Sequence, residues 1–268
     1  MQCFGEISWC PAALYIQMQR SVNSTVTHQH SFHIIHKDET DTTMEDARRA
    51  LVSGRGEFLV CTATRQHRAR GRLPGRTWVD DGREDLLFTA AFPKSRVRTA
   101  YPLTQLLALA LCRHLESAYR LSPQIRWPND VYVNGGKIAG ILVEIEGEYY
   151  LAGMGLNIRR RFFPTTLRHP ATTLVSALGL PENHETMRCE PSHVLDGVLF
   201  ELERLLLEKP MIGEVQRRLA LRGESVKVAI GNPSRYIQGM LVGLKDDGAL
   251  LVDTGGSELQ EVYSGEIS

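Results

Sequence analysis

Between Asp130 and Ile158 the chain reads "DVYVNGGKIAGILVEIEGEYYLAGMGLNI". Two apolar runs flank Asn134-Gly135-Gly136, a strong hairpin signal, and a third run continues the same sheet. Upstream, "SFHIIH", "EFLVCTAT" and "LLFTAAF" read as further strands. Helical signals fall between and after them. "ETDTTMEDARRALVSG" opens with capping boxes at Thr42-x-x-Glu45 and Thr43-x-x-Asp46 and stops at Gly54. "LTQLLALALCRHLESAYRL" repeats Leu103, Leu106, Leu107, Ala110 and Leu111 at helical spacing, which predicts one buried face. "HVLDGVLFELERLLLEK" aligns Val194, Val198, Leu202 and Leu205, and "IGEVQRRLALRG" predicts a further helix ending at Gly223.

From Glu224 the texture changes to short alternating runs broken by Asn232-Pro233, Asp246-Asp247-Gly248 and Gly255-Gly256. Such a pattern fits a small antiparallel barrel or sandwich of about 45 residues. The expected organisation is an N-terminal extension over 1–30, an α/β domain over 31–222 and an all-β domain over 223–268.

Composition removes several classes of function. With 268 residues, 43% hydrophobic and 23% charged, the chain can build a sizeable core, which excludes disorder throughout. Thirty-one basic residues balance thirty-one acidic ones, so no global field points to nucleic acid or membrane. Cys3, Cys10, Cys61, Cys112 and Cys189 are scattered without a C-x-x-C, unlike a disulfide framework or zinc knuckle, and fit a reducing cytoplasm. The apolar stretch Leu103–Cys112 falls short of the roughly 20 residues a membrane span needs. His28, His30, His33 and His36 lack a third ligand type at fixed spacing, so a metal site is not expected there.

Two stretches point to chemistry. "RQHRARGRLPGRTW", Arg65–Trp78, mixes five arginines with Gly, Ala and Pro and suits neither strand nor helix. It reads as a mobile loop whose guanidinium forks could close over a polyphosphate, or as a solvated or RNA-binding basic segment. The second is Lys137, a single ammonium at the head of a run that otherwise reads as buried strand. A desolvated lysine needs an anion, so a ligand phosphate or carboxylate is its natural partner. Trp127-Pro128 is expected to hold the chain extended and deliver Asn129 and Asp130 beside Lys137, near a Gly153-Met154-Gly155 turn ending in Asn157.

In this order and spacing, "GRLPGRTW" preceded by Arg70, "WPND", "GGKIAGILVE" and "GMGLNI" resemble the biotin–protein ligase family, as do "DTTM" at 41–44 and "PATTLVSALG" at 170–179. The likeness runs from about Phe32 onward. It implies a mixed sheet flanked by helices, of the class II aminoacyl-tRNA synthetase type, followed by a small SH3-like β-barrel. By position it implies Lys137 as the catalytic lysine between biotin carboxylate and ATP α-phosphate, with Arg70 and Arg72 in a loop closing over the adenylate. It further implies Thr42, Thr43, Gln66, Ala69, Gly140 and Gly153 on the biotin side, and Trp78, Asn129, Asp130, Gly155 and Asn157 around the nucleotide.

The implied reaction joins biotin to ATP as biotinyl-5′-AMP and transfers it to a lysine of a carboxylase's biotin carboxyl carrier domain, with Mg²⁺ carried by ATP and no metal site of the protein's own. Fewer than 40 residues precede the catalytic region and lack a helical pattern, so a DNA-binding helix-turn-helix is not expected. Dimerisation through a sheet edge stays open. The chain departs from the family pattern at Ala69, where a glycine is usual, at the Leu73-Pro74 pair, at Arg126, a usual lysine, and at Leu87, often aromatic. The rivals are a lipoate or octanoate ligase, whose Arg-Arg-x-Ser-Gly-Gly-Gly stretch is absent, and an RNA-binding module using the arginine-rich loop.

Overall fold

The computed structural model describes residues 32–54, 58–78, 85–97, 102–160, 162–165, 167–181, 187–208, 212–231 and 235–268. The 1–30 extension, with Cys3, Cys10, His28 and His30, lies outside them. Strands β1 (His33–Thr40), β2 (Leu59–Gln66), β3 (Asp85–Pro93), β4 (Gln124–Arg126), β5 (Asp130–Val133), β6 (Gly136–Glu146) and β7 (Tyr149–Asn157) form one sheet in the order β1-β2-β3-β7-β6-β5-β4. β1 and β2 run parallel and the other neighbours antiparallel. A mixed sheet flanked by helices is therefore the architecture expected from the sequence.

Helix α1 (Thr43–Val52) crosses between β1 and β2 and is capped by Thr42, whose side chain accepts from Glu45 N–H at 3.0 Å. Its small inward residues Ala47 and Ala50 bring it close to one sheet face, over Leu59, Cys61, Ala91 and Leu151. The opposite face carries the larger core, with α2 (Leu103–Tyr119) and α4 (Pro191–Leu207) packed on it; between them in sequence is the single-turn α3 (Leu174–Ala177). Val194, Val198, Leu202 and Leu205 of α4 are buried as expected. α2 is buried on nearly every side through Leu115, not on one face as its spacing predicts. The cause is a second cover: Gln105 Nε2 of α2 donates to Gly248 O of the C-terminal part at 3.0 Å.

The helix expected to end at Gly223 is shorter, α5 (Ile212–Arg217). The chain leaves helical geometry because Arg218–Ala220 bridges to Ile125, with Ile125 N–H donating to Arg218 O at 2.7 Å and Ala220 N–H to Ile125 O at 2.9 Å. Beyond it, β8 (Ser225–Ile230), β9 (Arg235–Leu244), β10 (Leu250–Asp253), β11 (Gln260–Val262) and β12 (Glu266–Ile267) make an antiparallel sheet in the order β11-β10-β9-β8-β12. It is an open five-stranded sheet among the described residues, with β11 and β12 as its edges.

His114 of α2 lies under α4, its imidazole against Gly197, where an added Cβ would stand 2.0 Å from the ring. Alanine for a mid-helix glycine ordinarily gains about 1 kcal/mol. Here the clash reverses the sign, and Gly197→Ala is expected to lower stability by about 1–3 kcal/mol in urea unfolding. Burial, helped by the charge of His193, pushes the His114 pKa down from 6.5 to about 4. Below pH 6.5 the unfolded chain therefore binds a proton that the folded chain refuses, so stability falls with pH and levels off under about pH 4. The expected loss between pH 7 and pH 5 is about 2 kcal/mol from this residue, and His114→Gln should flatten that slope.

Candidate active site

On the face that α1 covers, beyond its N-terminus, the structure forms a cavity of about 280 Å³. Register explains its floor. Thr89, Gly153 and Leu142 stand side by side across β3, β7 and β6, and Gly155, Gly140 and Asp130 form the next row across β7, β6 and β5. The two paired glycines leave a recess that the Trp78 indole fills: a Cβ at Gly155 would sit 2.5 Å from the ring, and one at Gly140 2.9 Å. Gly153 is approached by Met44, 3.1 Å from where its Cβ would be. The Gly153–Gly155 stretch is thus strand interior and not the expected turn, because both neighbouring strands pair with it.

Lys137 reaches this face through an irregularity. β5 and β6 pair Val131 with Ala139 but Tyr132 with Lys137, so β6 carries one extra residue. Strict alternation would place Lys137 in phase with Ala139 and Ile141; the bulge moves it into phase with Gly140 and the cavity. Its Nζ lies 2.7 Å from Asp130 Oδ1, the two side chains being 29% and 20% exposed. The contact is Coulombic, since Asp130 Oδ1 has no hydrogen-bond partner despite that separation. The Lys137 backbone is pinned separately: its N–H donates to Pro170 O at 2.8 Å, and its carbonyl accepts from Thr172 N–H at 2.9 Å and Asn157 Nδ2 at 3.3 Å.

A polar cluster occupies the α1 side. Gln66 Oε1 accepts from Thr43 N–H at 2.7 Å and Thr43 Oγ1 at 3.2 Å, and Thr43 Oγ1 contacts Thr89 Oγ1 at 2.8 Å. Thr42 and Ala69 line the cavity beside it. On the β5 side, Asn129 Nδ2 donates to Ile141 O at 2.9 Å. Trp127–Pro128 makes a cis peptide inside a turn joining β4 to β5, not the extended segment expected. Trp78 Nε1 and Asn157 Oδ1, a buried donor and a buried acceptor, have no partner among the described residues, although both border the cavity. Both atoms keep hydrogen-bonding capacity that a molecule bound in the cavity could use.

The arginine-rich loop is folded, contrary to expectation. Arg70 bridges to Thr77, Gly71 N–H donates to Arg76 O at 2.8 Å and Trp78 N–H to Ala69 O at 3.2 Å, which makes residues 69–78 a small hairpin. Arg70 lies 3.5 Å from Glu45 Oε1, and Arg72 Nη2 donates to Gly265 O at 2.6 Å. Burial pulls the Arg72 guanidinium below its ordinary pKa, opposed by the charges of Glu266 and Asp130. Leu87 is fully buried and stays out of the cavity wall.

All fourteen residues singled out from the sequence, Thr42 through Asn157, line this one cavity. Sequence reading missed Thr89, Arg160, Arg168, His169 and Glu266, which line it too. Arg160 is paired with Asp85, at 3% and 0% side-chain exposure, and its guanidinium lies 5.9 Å from the Trp78 ring. The pair spans 75 positions, so no local pattern announces it. Among the described residues no group of three His, Cys, Asp or Glu side chains is gathered for a metal ion, and no helix is long and apolar enough to cross a membrane.

Residues 38–157 match the biotin/lipoate A/B protein ligase family, and residues 223–268 match the biotin protein ligase C-terminal domain. A biotin–[acetyl-CoA-carboxylase] ligase of Paracoccus denitrificans is 29% identical over 228 residues, covering 80% of this chain and 91% of that protein. The bifunctional ligase/repressor BirA of Bacillus subtilis is 25% identical over 247 residues, covering 88% of this chain and 73% of its own length. Biotin protein ligase from Aquifex aeolicus, solved in complex with biotin and ATP, superposes with a TM-score of 0.73 at 28% identity, covering 88% of this chain and 97% of that one. With this fold around the cavity, residues 38–157 are thus similar to the biotin/lipoate A/B protein ligase family and residues 223–268 to the C-terminal domain of the biotin protein ligases.

Proposed function

We infer that the chain is an ATP-dependent biotin–protein ligase. The observation that carries this is one ammonium, Lys137 Nζ, set in a cavity that also presents a fixed donor–acceptor cluster at Thr43 and Gln66 and an arginine hairpin ending in Trp78. Biotin's carboxylate is a poor electrophile. In the first step its oxygen attacks the α-phosphorus of ATP, forming the acyl–phosphate bond as the bond to pyrophosphate breaks. In the second, a lysine amine attacks the acyl carbon, AMP leaves with the bridging oxygen, and the amine loses its proton.

Two anions meet in the first step, and Lys137 supplies countercharge to both, because a compact ammonium can touch carboxylate and phosphoryl oxygens together. Asp130, 2.7 Å from that amine, aims it. Arg70 and Arg72 close over the adenylate and keep water from it. Thr42, Thr43, Gln66 and Ala69 face biotin's ureido ring, with Gly140 and Gly153 letting the sheet backbone approach the ligand. Trp78, Asn129, Asp130, Gly155 and Asn157 surround the nucleotide. Mg²⁺ carried on the triphosphate supplies further countercharge when bound. The acceptor is the lysine of a carboxylase's biotin carrier domain, and the setting is cytoplasmic.

We assign the adenylating part to 31–222 and the C-terminal part to 223–268, with 1–30 as an extension, and read the latter sheet as SH3-like, since its last strand pairs beside its first. The former is of the class II synthetase type. The hydroxyls and amide at Thr43, Thr89 and Gln66 favour a polar ring over the plain chain of octanoate or lipoate. Exchange of labelled pyrophosphate into ATP tests this directly: biotin should stimulate it, lipoate and octanoate should not. Equal stimulation by the fatty acids would sink the assignment.

A further inference from the structure

The arginine hairpin over the cavity is held by the C-terminal sheet. A two-stranded ribbon rich in Gly and Arg has little stability of its own, so what it docks on decides whether it stays closed. On one side it has Glu45. On the other, Arg72 Nη2 bonds to Gly265 O at 2.6 Å, and Arg76 Nη2 lies 3.7 Å from Glu266 Oε2. The same carboxylate oxygen accepts Arg168 Nη1 at 2.7 Å, from the segment between β7 and α3, while Arg126 Nη2 donates to Ile267 O at 3.3 Å. Glu266 and Ile267 themselves line the cavity.

Resting on the ligase reading above, we propose that Glu266 is a positioning residue for the reaction, acting through Arg76 and Arg168 to hold the hairpin shut over the activated intermediate. Either ion pair alone is weak, with Arg76 48%, Arg168 45% and Glu266 29% exposed. Joined on one carboxylate they form a three-point clamp between the hairpin, the segment before α3 and β12. Without that negative charge two guanidiniums face each other beside Arg72 and Arg126, and repulsion opens the mouth. The clamp releases when the acceptor protein enters, since nothing in it is covalent or deeply buried.

The test is the rate at which preformed biotinyl-5′-AMP leaves the enzyme in the absence of acceptor, measured for full-length wild type, Glu266→Gln, the Arg76→Gln/Arg168→Gln double variant, and the charge-swapped Arg76→Glu/Glu266→Arg. Both neutralised variants should release the intermediate about fivefold to tenfold faster, as loss of a half-screened charge network implies, with the biotin affinity of Glu266→Gln unchanged. The swap should recover part of the retention. Wild-type retention in either neutralised variant overturns the proposal, as does a matching loss of biotin affinity in Glu266→Gln, which would mean general loosening of the site. Should Glu266→Gln fail to fold, the arginine double variant decides alone. A wild-type enzyme that forms no adenylate from biotin refutes the ligase reading instead.

Discussion

Lys137→Ala is expected to fold normally and to form biotinyl-5′-AMP slower by about two to three orders of magnitude, the size of losing one preorganised charge at a reacting centre. The fold should survive because the segment is held through its backbone, by Pro170 O, Thr172 N–H and Asn157 Nδ2, none of which uses the ammonium. The loss should be large because no other described cation stands in the same place. Arg160 is committed to Asp85, and Arg72 to Gly265 O and the charge of Glu266. Lys137→Arg is not expected to rescue it. The amine already lies 3.3 Å from where a Cβ of Gly140 would be, and a guanidinium fork fixes one planar pairing instead of two. Single-turnover adenylate formation, with urea unfolding as control, reads both effects; a rate within tenfold of wild type would remove Lys137 from the chemistry.

The largest stability effect is expected at Asp85. Its carboxylate, fully buried, accepts from Arg160 Nε at 3.0 Å and from Ile158 N–H at 3.3 Å. Asp85→Ala leaves a guanidinium in the interior with its charge uncompensated, which typically costs about 3–5 kcal/mol. Replacing both partners by apolar residues removes that cost, so Asp85→Ala/Arg160→Met should unfold within about 1–2 kcal/mol of wild type. The double variant separates stability from function. Arg160 lies against Trp78, which borders the cavity, so ATP binding should stay impaired in a protein that is stable again. Equal stability of the single and double variants in urea would show that the pair is not coupled.

How much of this was legible in the sequence follows the range of the interactions. The Asn134-Gly135 turn was readable because positive φ at both residues, 51° and 79°, is a local demand that Asn and Gly meet. The α1 cap at Thr42 and the buried stripe of α4 were equally local. The β6 bulge was not, yet it decides which face Lys137 takes; the run Ile138-Ala139 is apolar either way, so the pattern does not reveal the extra residue. The arginine loop looked mobile because composition records weak intrinsic preference and says nothing of Glu45, Gly265 and Glu266, which hold it from distant parts of the chain. Likewise the helix after Ile212 looked longer because its pattern cannot show that Leu219 is claimed by Ile125. The cavity-lining residues carried by the motifs were legible; those joined to the cavity only through folding, Thr89, Arg160 and Glu266, were not.

The most direct measurement follows an oxygen atom. Biotin labelled with ¹⁸O in its carboxylate is given with ATP and an acceptor carrier domain, and the released AMP is weighed by mass spectrometry. Attack by the carboxylate on the α-phosphorus at Lys137 requires AMP to leave carrying one labelled oxygen. AMP without label, or label appearing in pyrophosphate or phosphate, would contradict that chemistry.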